Sequence, residues 1–227
     1  MFTRQFSGFV HLAVTTFVTA NPLNVIMQRR TATNVFPTLL TTSSLSKAMT
    51  IAAGATFTPA QPYTRFDRGS GACKGQSSCT LDQVYFEDVC ENAITKQASA
   101  SAISRINYGG AKNADDKIVQ HNGAGTVIIN SFYAENFGKI YRSCGNQYKR
   151  HVQINDLGAV NGDVVAGINT NYGDTATIRT TQVDDVDDIC IKYTGNDDGG
   201  EPVETGSHCV EPVSKMAKFW GARRADG

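Results

Sequence analysis

Short β-branched runs and Gly/Asn turns in the segment 115–150 surround the cationic residues Lys117, Lys139, Arg142 and Arg150. This composition suits short strands joined by turns better than helices. Lys117 and Lys139 are 22 residues apart, about one turn of the repeat described below, so stacked coils bring both ammonium groups to one face. A face that collects cations in this way favours a polyanionic ligand.

Glu87 and Asp88 form a second candidate site, because they directly follow the apolar strand 84–86. Adjacent carboxylates at the end of a strand can both ligate a hard cation such as Ca²⁺, which prefers several oxygen ligands. From the spacing by itself, a solvated turn is the simpler interpretation. Further acidic groups at 184–188 and 196–198 do not have the spacing of an EF-hand loop, and they indicate exposed corners.

An apolar repeat predicts the scaffold that positions these residues. From Cys79 onward, pairs of apolar positions separated by two residues recur between turn residues. The pairs are Leu81/Val84, Ile103/Ile106, Ile129/Phe132, Ile154/Leu157 and Ile178/Thr181, and their first positions are 22, 26, 25 and 24 residues apart. A period near 24 residues, with no long amphipathic helical run, predicts a solenoid of β coils. The alternative is a β-sandwich, but its hairpins alone do not produce so long a repeat.

Glycine and asparagine mark the expected corners of these coils, because both residues tolerate a positive φ. The corner candidates are Gly109-Gly110, Asn122-Gly123, Gly145-Asn146, Asn161-Gly162 and Tyr172-Gly173. We therefore expect the chain to bend at these positions.

Composition limits the class of protein. The chain has 227 residues, 41% of them hydrophobic, with 21 basic and 21 acidic side chains, which is enough for one domain with a real core. A net charge of zero argues against a nucleic-acid binder.

Residues 1–20 have the pattern of a secretory signal, with Arg4 before an apolar run and Val18-Thr19-Ala20 as the cleavage site. The run is shorter than the ~20 residues of a membrane anchor, so we expect a secreted, extracellular monomer.

Six cysteines are expected to form disulfides in an exported chain. They are Cys73, Cys79, Cys90, Cys144, Cys190 and Cys209, and the sequence does not reveal their pairing. Their spacing, and that of the histidines, does not match a zinc site. His121 and His151 are expected to fill ordinary hydrogen-bonding roles.

Three segments together resemble the family 3 polysaccharide lyases, which are secreted pectate lyases of plant-degrading microbes. The segments are FEDVCENA at 86–93, the stretch 115–150 with its motif FGKIYRSCGN, and GINTNYGDTATI at 167–178. The resemblance covers about residues 64–180. It implies a right-handed parallel β-helix and calcium-assisted β-elimination on pectate (polygalacturonate), with Ca²⁺ bound by Glu87 and Asp88.

Lys117, Lys139 and Arg142 match the basic residues of this family one by one. β-Elimination needs a base that removes the proton at C5 of a uronate while the adjacent carboxylate gains negative charge. Physical chemistry favours Lys117 as this base. A lysine crowded by other cations loses its proton more readily, whereas arginine is almost always protonated. In lyases of this architecture the catalytic base is usually assigned to an arginine, so Arg142 is the alternative base. Lys139 and Arg150 are expected to bind substrate carboxylates. The alternative for the whole basic set is that these residues are ordinary surface cations without a shared function.

The sequence departs from the family pattern after Gln76, which is followed directly by Ser77-Ser78-Cys79. The family has a few dozen residues at this point, which carry a further acidic calcium ligand beside a Gly-x-His-Cys motif. One or more coils are therefore expected to be missing, through a deletion or a gene-model error. Calcium binding is expected to be weak.

These features divide the chain into a signal peptide (1–20), a lead-in (21–62), a parallel β-helix pectate lyase domain (63–210) and an atypical tail (211–227). The leading hypothesis is a secreted, calcium-dependent pectate lyase that degrades plant cell-wall pectin. One alternative is a catalytically impaired homologue that binds pectate or a host partner. A glycoside hydrolase is a third, but it needs two acids across a scissile bond, and no such motif stands opposite Glu87-Asp88.

Overall fold

The computed structural model describes residues 43–45, 56–57, 63–66, 78–89, 92–96 and 99–209. For the first three of these segments it describes the backbone alone. All described residues belong to one compact unit, 33–227. The predicted signal peptide, the tail 211–227, Cys73, Cys90 and the junction after Gln76 lie outside the described residues.

Strands make up nearly all regular structure in these residues. They are β1 (Ser43–Leu45), β2 (Thr56–Phe57), β3 (Tyr63–Phe66), β4 (Thr80–Asp82), β5 (Tyr85–Val89), β6 (Asn92–Lys96), β7 (Ile103–Asn107), β8 (Gly110–His121), β9 (Gly125–Ser143), β10 (Arg150–Asn169), β11 (Thr175–Thr194) and β12 (Val203–His208). A 3₁₀ turn, Thr170–Tyr172, joins β10 to β11. Within the described part of the chain, no helix is long and apolar enough to cross a membrane.

The strands stack in parallel on three faces of a solenoid. Face A contains β2, β4, β7 and the first parts of β9, β10 and β11. Face B contains β1, β3, β5, the first part of β8 and the middle parts of β9 to β11. Face C contains β6, the second part of β8 and the last parts of β9 to β11. This is a parallel β-helix, as predicted, and the parallel pairing excludes a sandwich of antiparallel hairpins.

Two of the described strands precede residue 63, the predicted start of the β-helix domain. β1 pairs with β3 and β2 pairs with β4, both in parallel. The solenoid therefore already includes part of the predicted lead-in, 21–62.

One column of buried aliphatic side chains forms the core behind face A. It consists of Leu81, Ile106, Ile129, Ile154 and Ile178, each at most 2% exposed. The first apolar positions of the sequence repeat place Ile103 in this column instead of Ile106, which is wrong: Ile103 pairs with Thr126. The apolar pattern allowed either isoleucine to occupy the column, because Ile103 and Ile106 are themselves an apolar pair separated by two residues.

The corner between faces A and B resolves that ambiguity. Five residues with φ between 50° and 59° form this corner, each two positions after a residue of the aliphatic column: Gln83, Tyr108, Ser131, Asp156 and Thr180. Tyr108 follows Ile106, not Ile103, at this distance. In that coil Gly109 occupies the second position of the repeat, which is apolar in the other coils. A Cβ added to Gly109 would lie 3.3 Å from the Phe132 ring.

The corner between faces B and C is a ladder of asparagines. Asn113, Asn136, Asn161 and Asp185 have φ between 51° and 55°. The amide of Asn136 donates to Asn113 (2.9 Å), and that of Asn161 donates to Asn136 (2.7 Å). Asn161 was among the expected corners, whereas most of the predicted Gly/Asn pairs do not supply the positive φ. Stacked side-chain amides stabilise a left-handed conformation that asparagine already tolerates.

The C-terminal end of the described chain is an antiparallel hairpin. β12 pairs with β11, and a disulfide joins Cys190 to Cys209. Cys79 is also disulfide-bonded. The prediction of disulfides is therefore confirmed for these cysteines, whereas Cys144 is a free, half-buried thiol.

Candidate active site

Lys117 and Lys139 are direct register partners on face C. Lys117 lies in β8 and Lys139 in β9, so parallel pairing of adjacent coils brings the two like charges side by side, as the 22-residue separation predicted. Both residues are half-buried. The Lys117 ammonium donates to the carboxylate of Asp116, which offsets part of the repulsion between the two lysines.

Arg142 lies three residues beyond Lys139 on the same face and is 6% exposed. Its Nη1 donates to the Ser143 carbonyl (2.6 Å) and to Asn169 Oδ1 (3.0 Å). The guanidinium carbon lies 3.9 Å from the centroid of the Tyr193 ring. Within the described residues, these contacts leave the Nε and Nη2 edge of the guanidinium available for an anion.

Burial lowers the pKa of Arg142, and the nearby Tyr193 and Asp174 oppose that shift. Arginine begins from a pKa above ~12. The side chain is therefore a cation across the pH range in which most enzymes work.

Arg150 has a different environment, because it lies at the start of β10 on face A and is fully buried. Its five N–H donors are all used by protein acceptors. Nε donates to the Gly123 carbonyl, Nη1 to the carbonyls of Asn146 and Tyr148, and Nη2 to the Asn122 carbonyl and to Asn146 Oδ1, over 2.6–2.9 Å. This arrangement ties two turns together and leaves Arg150 no donor for a substrate carboxylate.

Glu87 and Asp88 lie at the end of β5 on face B, and both side chains are exposed. The Glu87 carbonyl accepts a hydrogen bond from Asn113 (3.3 Å) at the neighbouring corner. Among the described residues, no three His, Cys, Asp or Glu side chains come together as a metal site. Two carboxylates fall short of the 6–8 oxygens that calcium takes, so the described residues do not complete a calcium site.

A groove of about 390 Å³ follows the corner between faces B and C. Its walls are mostly polar and acidic: Asn113, Ala114, Asp115, Asn136, Phe137, Gly138, Asn161, Gly162, Asp163, Asp185 and Asp187. The asparagines of the ladder form part of its lining, whereas Lys117 and Lys139 do not line it. Asp184, Asp185 and Asp187 are exposed near this corner, as predicted for the acidic group 184–188.

A buried polar chain crosses the interior behind face C. Lys96 Nζ donates to the Ala124 carbonyl (2.6 Å) and lies 3.1 Å from His121 Nε2, whose Nδ1 is 2.8 Å from the Tyr141 hydroxyl. Desolvation lowers the pKa of Lys96 to about 8, and desolvation with the Lys96 charge lowers the pKa of His121 to about 3. His121 thus fills a hydrogen-bonding role, as predicted, and so does His151, 2.6 Å from the Thr175 hydroxyl.

Three residues of the segment 167–178 support the arginines, although none of them was predicted as a site residue. Asp174 accepts from the main-chain N–H groups of Arg150 (2.8 Å) and Asn169 (3.0 Å). Asn169 in turn binds Arg142, and Gly167 lies beside the Arg142 side chain. The signal was present in the motif GINTNYGDTATI, but the motif does not show which arginine each residue contacts.

The chain is similar to known pectate lyases. The family described as pectate lyase matches residues 75–199. A probable pectate lyase E of Aspergillus clavatus is 52% identical over 139 residues, which cover 60% of this chain and 54% of the relative. A probable pectate lyase F of Aspergillus terreus is 42% identical over 201 residues, which cover 72% of this chain and 85% of the relative. The chain spans about half the length of the E-type relatives it matches.

Solved structures show the same likeness. Pectate lyase PelI from Erwinia chrysanthemi, in complex with tetragalacturonic acid, has a TM-score of 0.57 at 25% identity, covering 75% of this chain and 69% of that chain. Pectate lyase Pel3 from Pectobacterium carotovorum shares the fold, with a TM-score of 0.59 at 24% identity, covering 70% of this chain and 56% of that chain. By sequence and by fold, the chain belongs to the pectate lyase family.

Proposed function

We propose that the protein is a secreted pectate lyase that cleaves polygalacturonate by β-elimination and so contributes to the degradation of plant cell-wall pectin. The observation that carries the proposal is the register pairing of Lys117 with Lys139 on face C, with Arg142 further along β9. Three cations on one face suit a polymer that bears one carboxylate on each sugar.

The proposed reaction begins with removal of the C5 proton by Lys117 in its neutral form. The electron pair left at C5 forms a double bond to C4, the C4–O4 bond breaks, and the leaving oxygen takes up a proton from water. The Lys117 ammonium formed in the first step then returns its proton to the solvent. Negative charge develops on the C6 carboxylate during proton removal, so fixed cations beside it lower the barrier. Lys139 is the register partner of the base, and Arg142 has a free guanidinium edge for a carboxylate.

Asp116 controls the availability of Lys117 in this scheme. The Lys117 ammonium donates to Asp116, so this contact must loosen before a neutral lysine can face the C5 hydrogen. A substrate carboxylate near Asp116 repels it, which favours that rearrangement.

Arg150 takes a structural role in this proposal instead of the predicted role as a carboxylate holder. All five of its donors are engaged within the protein, and the side chain is fully buried. Binding a substrate would break a charge-assisted hydrogen bond for each one formed.

Calcium is proposed as the metal, with Glu87 and Asp88 as its ligands from this chain. When bound, it would supply a Lewis acid for the substrate carboxylate. The incomplete ligand set also favours a second candidate function, in which the protein binds pectate without cleaving it.

The two candidates are separated by one pair of measurements on the secreted protein. Ultraviolet absorbance of the unsaturated product on polygalacturonate reports lyase activity, and calorimetric titration with trigalacturonate reports binding. Product formation supports the lyase. Binding without product, over a full calcium series, supports the impaired homologue, and the absence of both contradicts both proposals.

A further inference from the structure

The Arg142 side chain spans a coil that has no side chain at the matching position. In the register of face C, Arg142 pairs with Gly167, and Gly167 pairs with Ile191 on the next coil. A Cβ on Gly167 would lie 2.9 Å from Arg142 Cδ and 3.1 Å from Tyr193 Cε2. The missing side chain at Gly167 therefore lets the guanidinium reach the Tyr193 ring, 3.9 Å away.

Asn169 fixes the other end of the guanidinium. Its Oδ1 accepts from Arg142 Nη1, and its Nδ2 donates to the Cys144 carbonyl (2.6 Å). The main-chain N–H of Asn169 donates to the buried Asp174. Asn169 is itself fully buried, so its amide has one orientation that satisfies both neighbours.

We propose that Gly167, Asn169 and Tyr193 are positioning residues, which hold Arg142 as a fixed cation and direct its Nε–Nη2 edge to a uronate carboxylate. The proposal rests on the proposed lyase function, and it assigns Arg142 as a carboxylate holder and Lys117 as the base. We call Gly167, Asn169 and Tyr193 together the arginine clamp.

The chemistry of the clamp suits a cation. The face of an aromatic ring attracts a guanidinium, and the attraction grows when water is excluded. Two oxygen acceptors on Nη1 add charge-assisted hydrogen bonds. Removing a proton from Arg142 would weaken all three contacts, whereas binding a carboxylate at the opposite edge keeps them, so the clamp favours electrostatic stabilisation over proton transfer.

The activity test compares Tyr193→Phe with Tyr193→Leu. Phenylalanine keeps the ring, so this variant should retain most of the wild-type kcat/KM. Leucine removes the ring and should lower kcat/KM by about tenfold or more. The pH at which activity rises should stay at its wild-type value, because the base is Lys117. Tyr148→Leu is the matched control, since it removes a ring 5.6 Å from Arg150 instead, and it should behave as wild type.

Two results would overturn the clamp: a Tyr193→Leu variant with wild-type kcat/KM, or one whose pH profile shifts, which would make Arg142 the base. Thermal unfolding of each variant shows whether it folds. If Tyr193→Leu does not fold, Gly167→Ala provides a second route, because its methyl group would lie too close to both Arg142 Cδ (2.9 Å) and Tyr193 Cε2 (3.1 Å) and so separates the guanidinium from the ring. It should lower kcat/KM by a similar factor.

A second readout separates failure of the clamp from failure of the lyase proposal. Nitrogen-15 NMR of arginine Nη–H groups detects a restrained guanidinium without substrate, and buried Arg150 serves as the reference. The Arg142 Nη1 hydrogens, which are donated to Ser143 and Asn169, should exchange slowly with water in the wild type and rapidly in Tyr193→Leu. Equal exchange in both proteins would overturn the clamp even if the enzyme is active. Slow exchange in a wild type that neither binds nor cleaves pectate would contradict the lyase proposal and any role of the clamp in it.

Discussion

Lys117 lies beside Lys139 across one coil of the solenoid, as direct partners in a parallel ladder. Coil stacking repeats every 23–25 residues in the described core column. The β8–β9 pairing contains an irregularity between Ala114 and Lys117, which brings residues only 22 apart into register. A local bulge, in addition to the general period, thus places the proposed base beside a second cation.

Replacing Lys117 or Arg142 with alanine should abolish lyase activity and leave the fold intact. Lys117 is proposed to transfer the proton, and Arg142 to hold the carboxylate that gains charge. Single changes of this kind cost on the order of 100-fold or more in kcat. Product absorbance on polygalacturonate measures the loss, and circular dichroism checks the fold. Lys149→Ala, an exposed lysine nearby, is the matched control and should keep full activity.

Much of the scaffold was predictable because apolar periodicity and Gly/Asn turns reflect local physical requirements. The period near 24 predicted stacked coils, and the separation of Lys117 and Lys139 predicted their pairing. The choice between Ile103 and Ile106 was not predictable, since it depends on positive φ at Tyr108, a residue type that seldom adopts it.

The environments of the two arginine side chains also could not be predicted from the sequence. Arg142 and Arg150 are both arginines in one basic segment, yet one keeps a free edge and the other has every donor satisfied. That difference arises from carbonyl groups of turns at 122–123 and 146–148. Main-chain carbonyls carry no signature in sequence, so only the folded chain separates the two roles.

Arg150→Met should destabilise the protein strongly, and Arg150→Lys should do so almost as much. A lysine cannot supply five donors in a planar fork, and the freed carbonyls of the two turns are left without partners. The loss in free energy of unfolding should be about 3 kcal/mol or more, measured by urea denaturation. Activity per folded molecule should be close to wild type, and a selective rise in KM with unchanged stability would instead indicate a substrate-binding arginine.

The free energy of unfolding should rise with pH between about 8 and 9.5 because of Lys96. Its pKa is lowered from 10.5 to about 8 by desolvation and by the charge of Arg150. The unfolded chain therefore binds more protons than the folded one in this window, and stability increases as pH rises. Below about pH 7 both states are protonated and this contribution is constant.

Urea denaturation of wild type and Lys96→Met at pH 8.0 and 9.5 provides the test. Methionine has no charge to lose, so the pH-dependent gain, on the order of 1–2 kcal/mol, should disappear in the variant. Lys149→Met, which changes an exposed lysine, should keep it. The same slope in all three proteins would show that Lys96 is not the responsible group.

Thr180→Asn should stabilise the fold. Thr180 is exposed and has a φ of 52°, a conformation that is unfavourable for a β-branched residue. Asparagine accepts this conformation readily, as the neighbouring ladder shows. The gain should be about 0.5–1 kcal/mol in the free energy of unfolding, seen as a higher thermal midpoint. Thr177→Asn, a change of the same type in β11 at a position without positive φ, should not produce that gain.

Calcium should support activity only at elevated concentration. Calcium affinity increases with each fixed carboxylate, and the described residues offer Glu87 and Asp88 without a third acidic partner. Both side chains are exposed, so water competes for the ion and the two carboxylates are free to move. We therefore expect half-maximal product formation at millimolar calcium, a range of about 10⁻⁴–10⁻³ M for weak sites. Asp88→Asn should raise this concentration further, whereas Asp198→Asn, at an exposed position elsewhere, should not. Saturation at micromolar calcium would contradict the argument from ligand number, because a tight site would need oxygens beyond those two carboxylates.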